Sequence, residues 1–443
     1  MQRRSLLAGS AALGLAAPGL ARAQARTEIQ LWHAMTGALG ETIGEEVKRF
    51  NESQGRTTVV PSFKGGYVDT MTGAIAAWRA GSPPHIVQVF EVGTATMMAA
   101  GPAIKPVHTL LGEAGITLDP KRYLAGVRGY YSDTQGRLIS MPFNSSSAVM
   151  WLNLDAFEKA GLSTTALPKT WREVRAAAEK IKATGAAPAA VTTAWPTWVL
   201  FEQMAAIHDI PFATKANGFE GMDCELQLTQ PFFQKQMDFV LGLQKDGLFK
   251  YGGRDNAAEG LFPAGEAAIG FNSSAGRARV AREAKFKWAS VPLPYHDDVI
   301  ASPKNGVIGG ASLWPLSAKN RPVEEYRGVA EFFRFLSEPA LDQWWHQQTG
   351  YVPLTLAAYE KSKAEGYYTQ NPGADAAIIQ LSRAEPTPNS MGFRLGGFVE
   401  IRNIIQEELE KALQGQQTGA QALENANRRG NVVLRNFERA NKG

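Results

Sequence analysis

This chain of 443 residues has one cysteine and six histidines, and its net charge is only +4. Each scarcity closes off a kind of chemistry. Cys224 has no second cysteine to pair with, so no intramolecular disulfide forms, and it reads as a small structural residue. The histidines stand at 33, 85, 108, 208, 296 and 346, with no i,i+4 pair and no H-E-x-x-H. Together with a lone cysteine, that spacing argues against zinc. The phosphate-cradling G-x-x-x-x-G-K-[ST] and the nucleophile elbow G-x-S-x-G are also missing. His296-Asp297-Asp298, after Pro294, reads as a solvated turn, and Trp344-Trp345-His346 as a packed helix face. No nucleophile–base pair stands out, and neither a metal nor any other cofactor is expected.

Long apolar runs are equally scarce. The one near the N-terminus, Ser5 to Leu20, is shorter than the ~20 residues a membrane span requires and is broken by Gly and Pro. Arg3-Arg4 before it and Ala23-Gln24-Ala25 after it give residues 1–25 the pattern of a cleaved export signal. The arginine pair fits a twin-arginine route as well as general secretion. Without residues 1–25 the chain carries 43 basic against 42 acidic side chains. That balance is no footprint for nucleic acid. No cysteine follows the signal to carry a lipid, so the expected location is the periplasm.

The rest of the chain is rich in alternating elements. The length exceeds the ~250–300 residues at which single cores stop growing, so two domains are expected. Thr27–Met35 reads as a strand, followed by a helix whose Ile43, Val47 and Phe50 fall at helical spacing. "RTTVVPSF", the helix from Tyr67, and the strand His85–Phe90 complete a β-α-β-α-β order, which argues for a mostly parallel sheet under helices. A second unit opens near "LISMPFNSSSAVMWLN". Its helix after Lys169 carries a capping box, Thr170 with Glu173. Strand-like runs follow at 267–274 and in "VIGGASLWPL", and two helices joined around Gly415 close the chain.

Glu91 ends an apolar strand, at the kind of tip where open α/β sheets hold ligands. Other polar and aromatic residues also sit at element ends: Tyr67, Ser145-Ser146-Ser147, Trp195, Trp198, Ser273-Ser274, Gly309-Gly310, Tyr351 and Arg394. Each has a plain reading as turn or core. As a set they suit a pocket for a small polyhydroxylated anion.

The strings "WHAMTGALG", "FEVGTATMMAAG", "PFNSSSAV", "PFATKANGFEG", "IGGASLW", "HQQTGYVPLTLAAYE", "EGYYTQNPGADAA" and "GFRLGGFVEIRNIIQEELEKAL" carry a resemblance from about residue 28 to 438. The chain resembles the periplasmic sn-glycerol-3-phosphate-binding proteins of ABC importers, among the extracellular solute-binding proteins. "FEVGTATMM" and "GFRLGG" are the strings most particular to that branch. Phe90 and Trp151 stand where tyrosines are expected, and "NSSAGR" replaces a Ser-Gly-Ser pattern.

The resemblance implies an α/β, two-lobed periplasmic binding protein fold of type II, like maltose-binding protein, with the ligand cleft at a hinge. The first lobe is expected over 26–137 and 291–343, and the second over 138–290 and 344–443. The implied ligand site is Tyr67, Glu91, Ser146, Trp195, Trp198, Ser273, Gly309, Tyr351 and Arg394, with Ser274 and Gly310 as neighbours of equal standing. The implied ligand is sn-glycerol-3-phosphate or a glycerophosphodiester such as glycerophosphocholine. The partner is an ABC permease, the receptor acts as a monomer, and no catalysis is implied.

Physical roles can be argued for these side chains. Arg394 offers a planar fork for two phosphate oxygens. Ser146, Ser273 and a glycine N–H can donate to the same group, the glycine because backbone approaches closely there. Glu91 suits glycerol hydroxyls, away from the phosphate. The aromatic rings would cover the carbon skeleton. A sugar or oligosaccharide receptor is the rival within the class; a secreted phosphodiester hydrolase is the rival outside it.

Overall fold

A computed structural model describes residues 26–442, and the expected signal segment with its cleavage near Ala25 lies outside them. Among the described residues ten strands form two five-stranded sheets. They are β1 Thr27–His33, β2 Thr57–Phe63, β3 Ile86–Phe90, β4 Met141–Ser146, β5 Ala148–Asn153, β6 Ala189–Thr193, β7 Phe249–Tyr251, β8 Ala267–Ser273, β9 Trp288–Pro292 and β10 Gly309–Pro315. The first sheet runs β2-β1-β3-β10-β4 and the second β7-β6-β8-β5-β9. In the first, β1 pairs parallel with β2 and β3, while β10 lies antiparallel between β3 and β4. In the second, β6 pairs parallel with β7 and β8, and β5 is antiparallel to β8 and β9. The α/β, two-lobed architecture is therefore present.

The helices follow from their sequences. We number ten of them: α1 Gly37–Ser53, α2 Tyr67–Arg79, α3 Ala125–Tyr131, α4 Trp171–Thr184, α5 Pro231–Lys245, α6 Arg277–Glu283, α7 Val323–Leu336, α8 Pro339–Thr349, α9 Phe398–Leu413 and α10 Gly419–Asn441. α1 buries Ile43, Val47 and Phe50 on one face. α4 begins with the expected capping box: Thr170 Oγ1 accepts from the Glu173 N–H at 3.2 Å, and the Glu173 carboxylate accepts from the Thr170 N–H at 3.0 Å. It ends at Gly185, whose φ of +58° suits glycine. Among the described residues no helix is long and apolar enough to cross a membrane.

The chain passes between the sheets three times. β4 is the edge strand of the first sheet because it pairs with β10, and β5 starts the second after Ser147 alone. That exchange comes later than the boundary expected at 138. The second passage is the segment 293–308 between β9 and β10, after the boundary expected at 291. The third also comes later than expected at 344. Leu341, Trp345, Tyr351 and Leu354 pack into the first lobe's core with Phe332 and Phe333, and α9 then belongs to the second lobe. The larger core includes Val87, Val89 and Phe90 of the first lobe together with Met150, Phe201 and Phe271 of the second.

Candidate functional site

Strands that end toward the same gap bring their terminal residues to one cavity of about 350 Å³ between the sheets. β3 delivers Glu91, the start of α2 delivers Tyr67, and β4 delivers Ser146. From the second sheet, β6 leads to Trp195 and Trp198, and β8 ends at Ser273. Gly309 and Gly310 of β10 and Tyr351 after α8 complete the wall. Ser273 faces the cavity, whereas the Ser274 hydroxyl is buried elsewhere without a partner.

Most of these side chains are held in place before any ligand arrives. Tyr67 stacks on Phe90 with centroids 5.2 Å apart, so the phenylalanine at 90 acts as a flat support. The Tyr67 hydroxyl accepts from Asn144 Nδ2 at 3.0 Å, and Asn144 Oδ1 accepts from Gln88 Nε2 at 2.8 Å. Tyr351 lies against Trp345, and the next residue's N–H donates to the Ser145 carbonyl at 2.9 Å. Burial raises the Tyr351 phenol to about 12 and Tyr67 well above its usual range, so both stay neutral donors. Trp195 adopts φ +51°, a left-handed conformation uncommon outside glycine, and its Nε1 donates to Glu259 at 3.0 Å. Trp198 Nε1 has no partner and remains a buried donor. A Cβ on Gly309 would come within 2.4 Å of the Trp198 ring, so only glycine lets that indole seat here.

Arg394 is the one expected site residue that this structure does not bring to the cavity. Its Nη2 donates to the carbonyls of Gly129, Tyr130 and Ser132 at 3.2, 3.1 and 2.8 Å. The guanidinium also sits over the Phe219 ring at 4.3 Å. The end of α3 leaves carbonyls without helical partners, and a cation is favoured at a helix C-terminus. One arm of the fork expected at Arg394, Nη2, is thus engaged with main chain, while Nε is buried without a partner.

The buried guanidinium on the cavity wall belongs to Arg402, which was not among the expected site residues. Its Nε and Nη2 each donate to Glu202 at 2.7 Å, and Nη2 also reaches Glu91 Oε1 at 2.6 Å. Burial raises the Glu91 pKa, and Arg402 opposes that rise. Glu202 closes a π-helical turn, Trp198–Glu202, of a kind found frequently at functional sites. Glu259 also faces the cavity; burial raises its pKa against the bond from Trp195. Arg402 did leave a trace in the sequence, because it interrupts the apolar stripe Phe398, Ile401, Ile405 and Leu409 of α9. Glu259 lies between regular elements and left none. At the cavity mouth, Arg279 and Arg282 of α6 are exposed and share Glu283.

A family profile described as bacterial extracellular solute-binding protein matches residues 36–343. A protein of Rhizobium meliloti named sn-glycerol-3-phosphate-binding periplasmic protein UgpB is 46% identical over 413 residues, covering 93% of this chain and 95% of that one. A Brucella abortus protein of the same name is 42% identical over 430 residues, covering 97% of each. Among solved structures, UgpB from Mycobacterium tuberculosis in complex with glycerophosphocholine superposes with a TM-score of 0.77 at 20% identity, covering 93% of this chain and 99% of that one. The GacH receptor of Streptomyces glaucescens superposes with a TM-score of 0.74 at 15% identity, covering 94% of this chain and all of that one. These last two likenesses speak to the fold.

Proposed function

The chain belongs to the bacterial extracellular solute-binding proteins, and on that premise we propose that it is a periplasmic receptor capturing sn-glycerol-3-phosphate and glycerophosphodiesters for an ABC importer. The observation that carries this reading beyond the family is the convergence of Tyr67, Glu91, Ser146, Trp195, Trp198, Ser273, Gly309 and Tyr351 on one cavity between the lobes. Ser146, Ser273, Trp198 Nε1 and the main chain of β10 can donate to phosphate oxygens. Glu91 accepts from the glycerol hydroxyls at the opposite end, where a carboxylate does not face the anion. Tyr67, Tyr351 and the indoles cover the carbons between. Closure of the lobes excludes water and gives the permease a shape it can distinguish. The receptor acts as a monomer, was exported by its N-terminal signal, and performs no chemistry on what it binds.

Titration calorimetry with glycerol-3-phosphate, glycerophosphocholine and maltose tests this directly. Saturable binding of either phosphate compound without heat from maltose is expected; binding of maltose alone would return the protein to the sugar receptors. Glycerophosphocholine should come back intact from prolonged incubation, and release of free choline would make the protein a hydrolase.

A further inference from the structure

Three buried charges meet at the inner wall of the cavity, and they come from both lobes. Glu91 follows β3 in the first sheet; Glu202 lies beyond β6 of the second, and Arg402 comes from α9. The side chains are 5%, 0% and 7% exposed. Arg402 grips Glu202 with two parallel bonds, so the guanidinium is fixed by the second lobe before it reaches Glu91. The Glu91 contact uses only Oε1, which leaves Oε2 of a cavity-lining carboxylate for something else. One guanidinium shared by two carboxylates leaves one net negative charge when all are ionised. A buried carboxylate without that cation would take up a proton and lose an acceptor.

We propose that Arg402 and Glu202 are positioning residues that set the receptor's requirement for hydroxyl groups on its phosphorylated ligand, by holding Glu91 charged and correctly turned. This rests on the function proposed above. Neither residue needs to touch the ligand: Glu202 sits behind Arg402, and the remaining lone pairs of Glu91 do the recognising. Two bonds from adjacent hydroxyls fit one carboxylate oxygen better than a neutral acid, which would offer one of them a competing donor.

The groups that face Glu91 allow a signed test. Besides Arg402 and Glu202 they are Tyr67 of α2, Tyr130 and Tyr131 of α3, and Tyr351 after α8, all phenols whose pKa burial raises. None of these four phenols titrates between pH 5 and 8; Glu259 is the other carboxylate on the cavity wall whose pKa burial raises. Arg402 opposes protonation of Glu91 and Glu202 favours it. Arg402→Met should therefore move the acid limit of hydroxyl recognition toward neutral pH, and Glu202→Gln should move it further into acid.

Affinities of glycerol-3-phosphate and of propyl phosphate, which lacks both hydroxyls, should be measured by calorimetry from pH 5 to 8. The ratio of the two cancels the ionisation of the phosphate itself. Wild type should prefer glycerol-3-phosphate, and Arg402→Met should reduce that preference, read as the ratio of the two affinities, roughly tenfold or more. If Arg402→Met fails to fold, Glu202→Gln, which keeps volume and removes one charge, decides the matter through its acid limit. Folded variants with wild-type preference and an unmoved acid limit would overturn the positioning role alone. A wild type that binds neither phosphate would overturn the proposed function, and the inference with it.

Discussion

Glu91→Gln exchanges a charged acceptor for an amide of the same size. Hydrogen bonds to charged groups contribute about 1.5–3 kcal/mol, so affinity for glycerol-3-phosphate should fall roughly tenfold to a hundredfold. The unliganded protein should hardly suffer, because Glu202 alone then balances Arg402 and the crowding of two buried carboxylates is relieved. Calorimetry and a melting curve on the same preparation separate the two effects. Arg394→Ala should behave in the opposite sense. It removes the donor to three carbonyls at the end of α3, and a lower melting temperature without ligand is expected. Removing a partner from buried acceptors costs about 1–3 kcal/mol. An affinity loss above tenfold with an unchanged melting temperature would instead mean that the side chain leaves α3 for the phosphate on closure. At this scale the sequence was informative wherever a side chain stood at an element end, as Tyr67, Ser273 and Tyr351 do. At Arg394 it gave no hint of the main-chain carbonyls that hold the side chain in this conformation.

Among the elements, the short helix Gln203–Ile207 and its surroundings hold a pair of buried histidines that the ligand site does not use. His208 shares Nδ1 with the Met204 carbonyl at 2.7 Å, and its Nε2 accepts from the His296 N–H at 2.8 Å. His296 in turn bonds Gln236 of α5 at 2.8 Å. Burial lowers both imidazoles to about 4 from an ordinary 6.5, and for His296 the neighbouring His208 adds to the effect. Folded-state values below the unfolded ones mean that stability is complete above about pH 6.5 and is lost as pH falls toward 4. At about 1.4 kcal/mol per pH unit, each ring can withdraw on the order of 3 kcal/mol. The melting temperature should therefore drop steeply between pH 6.5 and 4, and His208→Gln should flatten that slope. A slope unchanged in the variant would move the acid sensitivity elsewhere. Regular helices such as α1, α4 and α9 were legible from spacing and caps. The segment Thr214–Gly218 was not. Lys215, Ala216 and Asn217 take φ of +57°, +48° and +54°, a conformation that lysine and alanine rarely adopt. Asn217 Oδ1 holds them there by accepting from the Phe212 and Ala213 N–H groups, and only the folded neighbours supply that geometry.

For the molecule as a whole, the sequence conveyed two α/β units and their rough extents, but not which sheet each strand would join. "PFNSSSAVMWLN" reads as one extended run; pairing of Gly309 and Gly310 with Ser146 and Ser145 sends its first half to one lobe and the rest to the other. Tyr67, Glu91 and Ser146 from the first lobe share the cavity with Trp195, Trp198 and Ser273 from the second, so closure should change both shape and fluorescence. Small-angle scattering with saturating glycerol-3-phosphate should show a smaller radius of gyration, and tryptophan emission should shift in step. Trp195→Phe with Trp198→Phe should largely remove the optical change. Emission that still shifts fully in the double variant would assign the signal to other indoles.

Three separate strands of chain run between the lobes, one of them only Ser147 long. Such a triple connection resists shear and twist and leaves one soft rotation, opening and shutting. A captured molecule walled by both lobes then has one way out, through that rotation. Its dwell time is set by how often the lobes part, so residence depends also on residues that never touch the ligand. Substitutions along the connections should change the release rate while leaving the contacts with the ligand untouched.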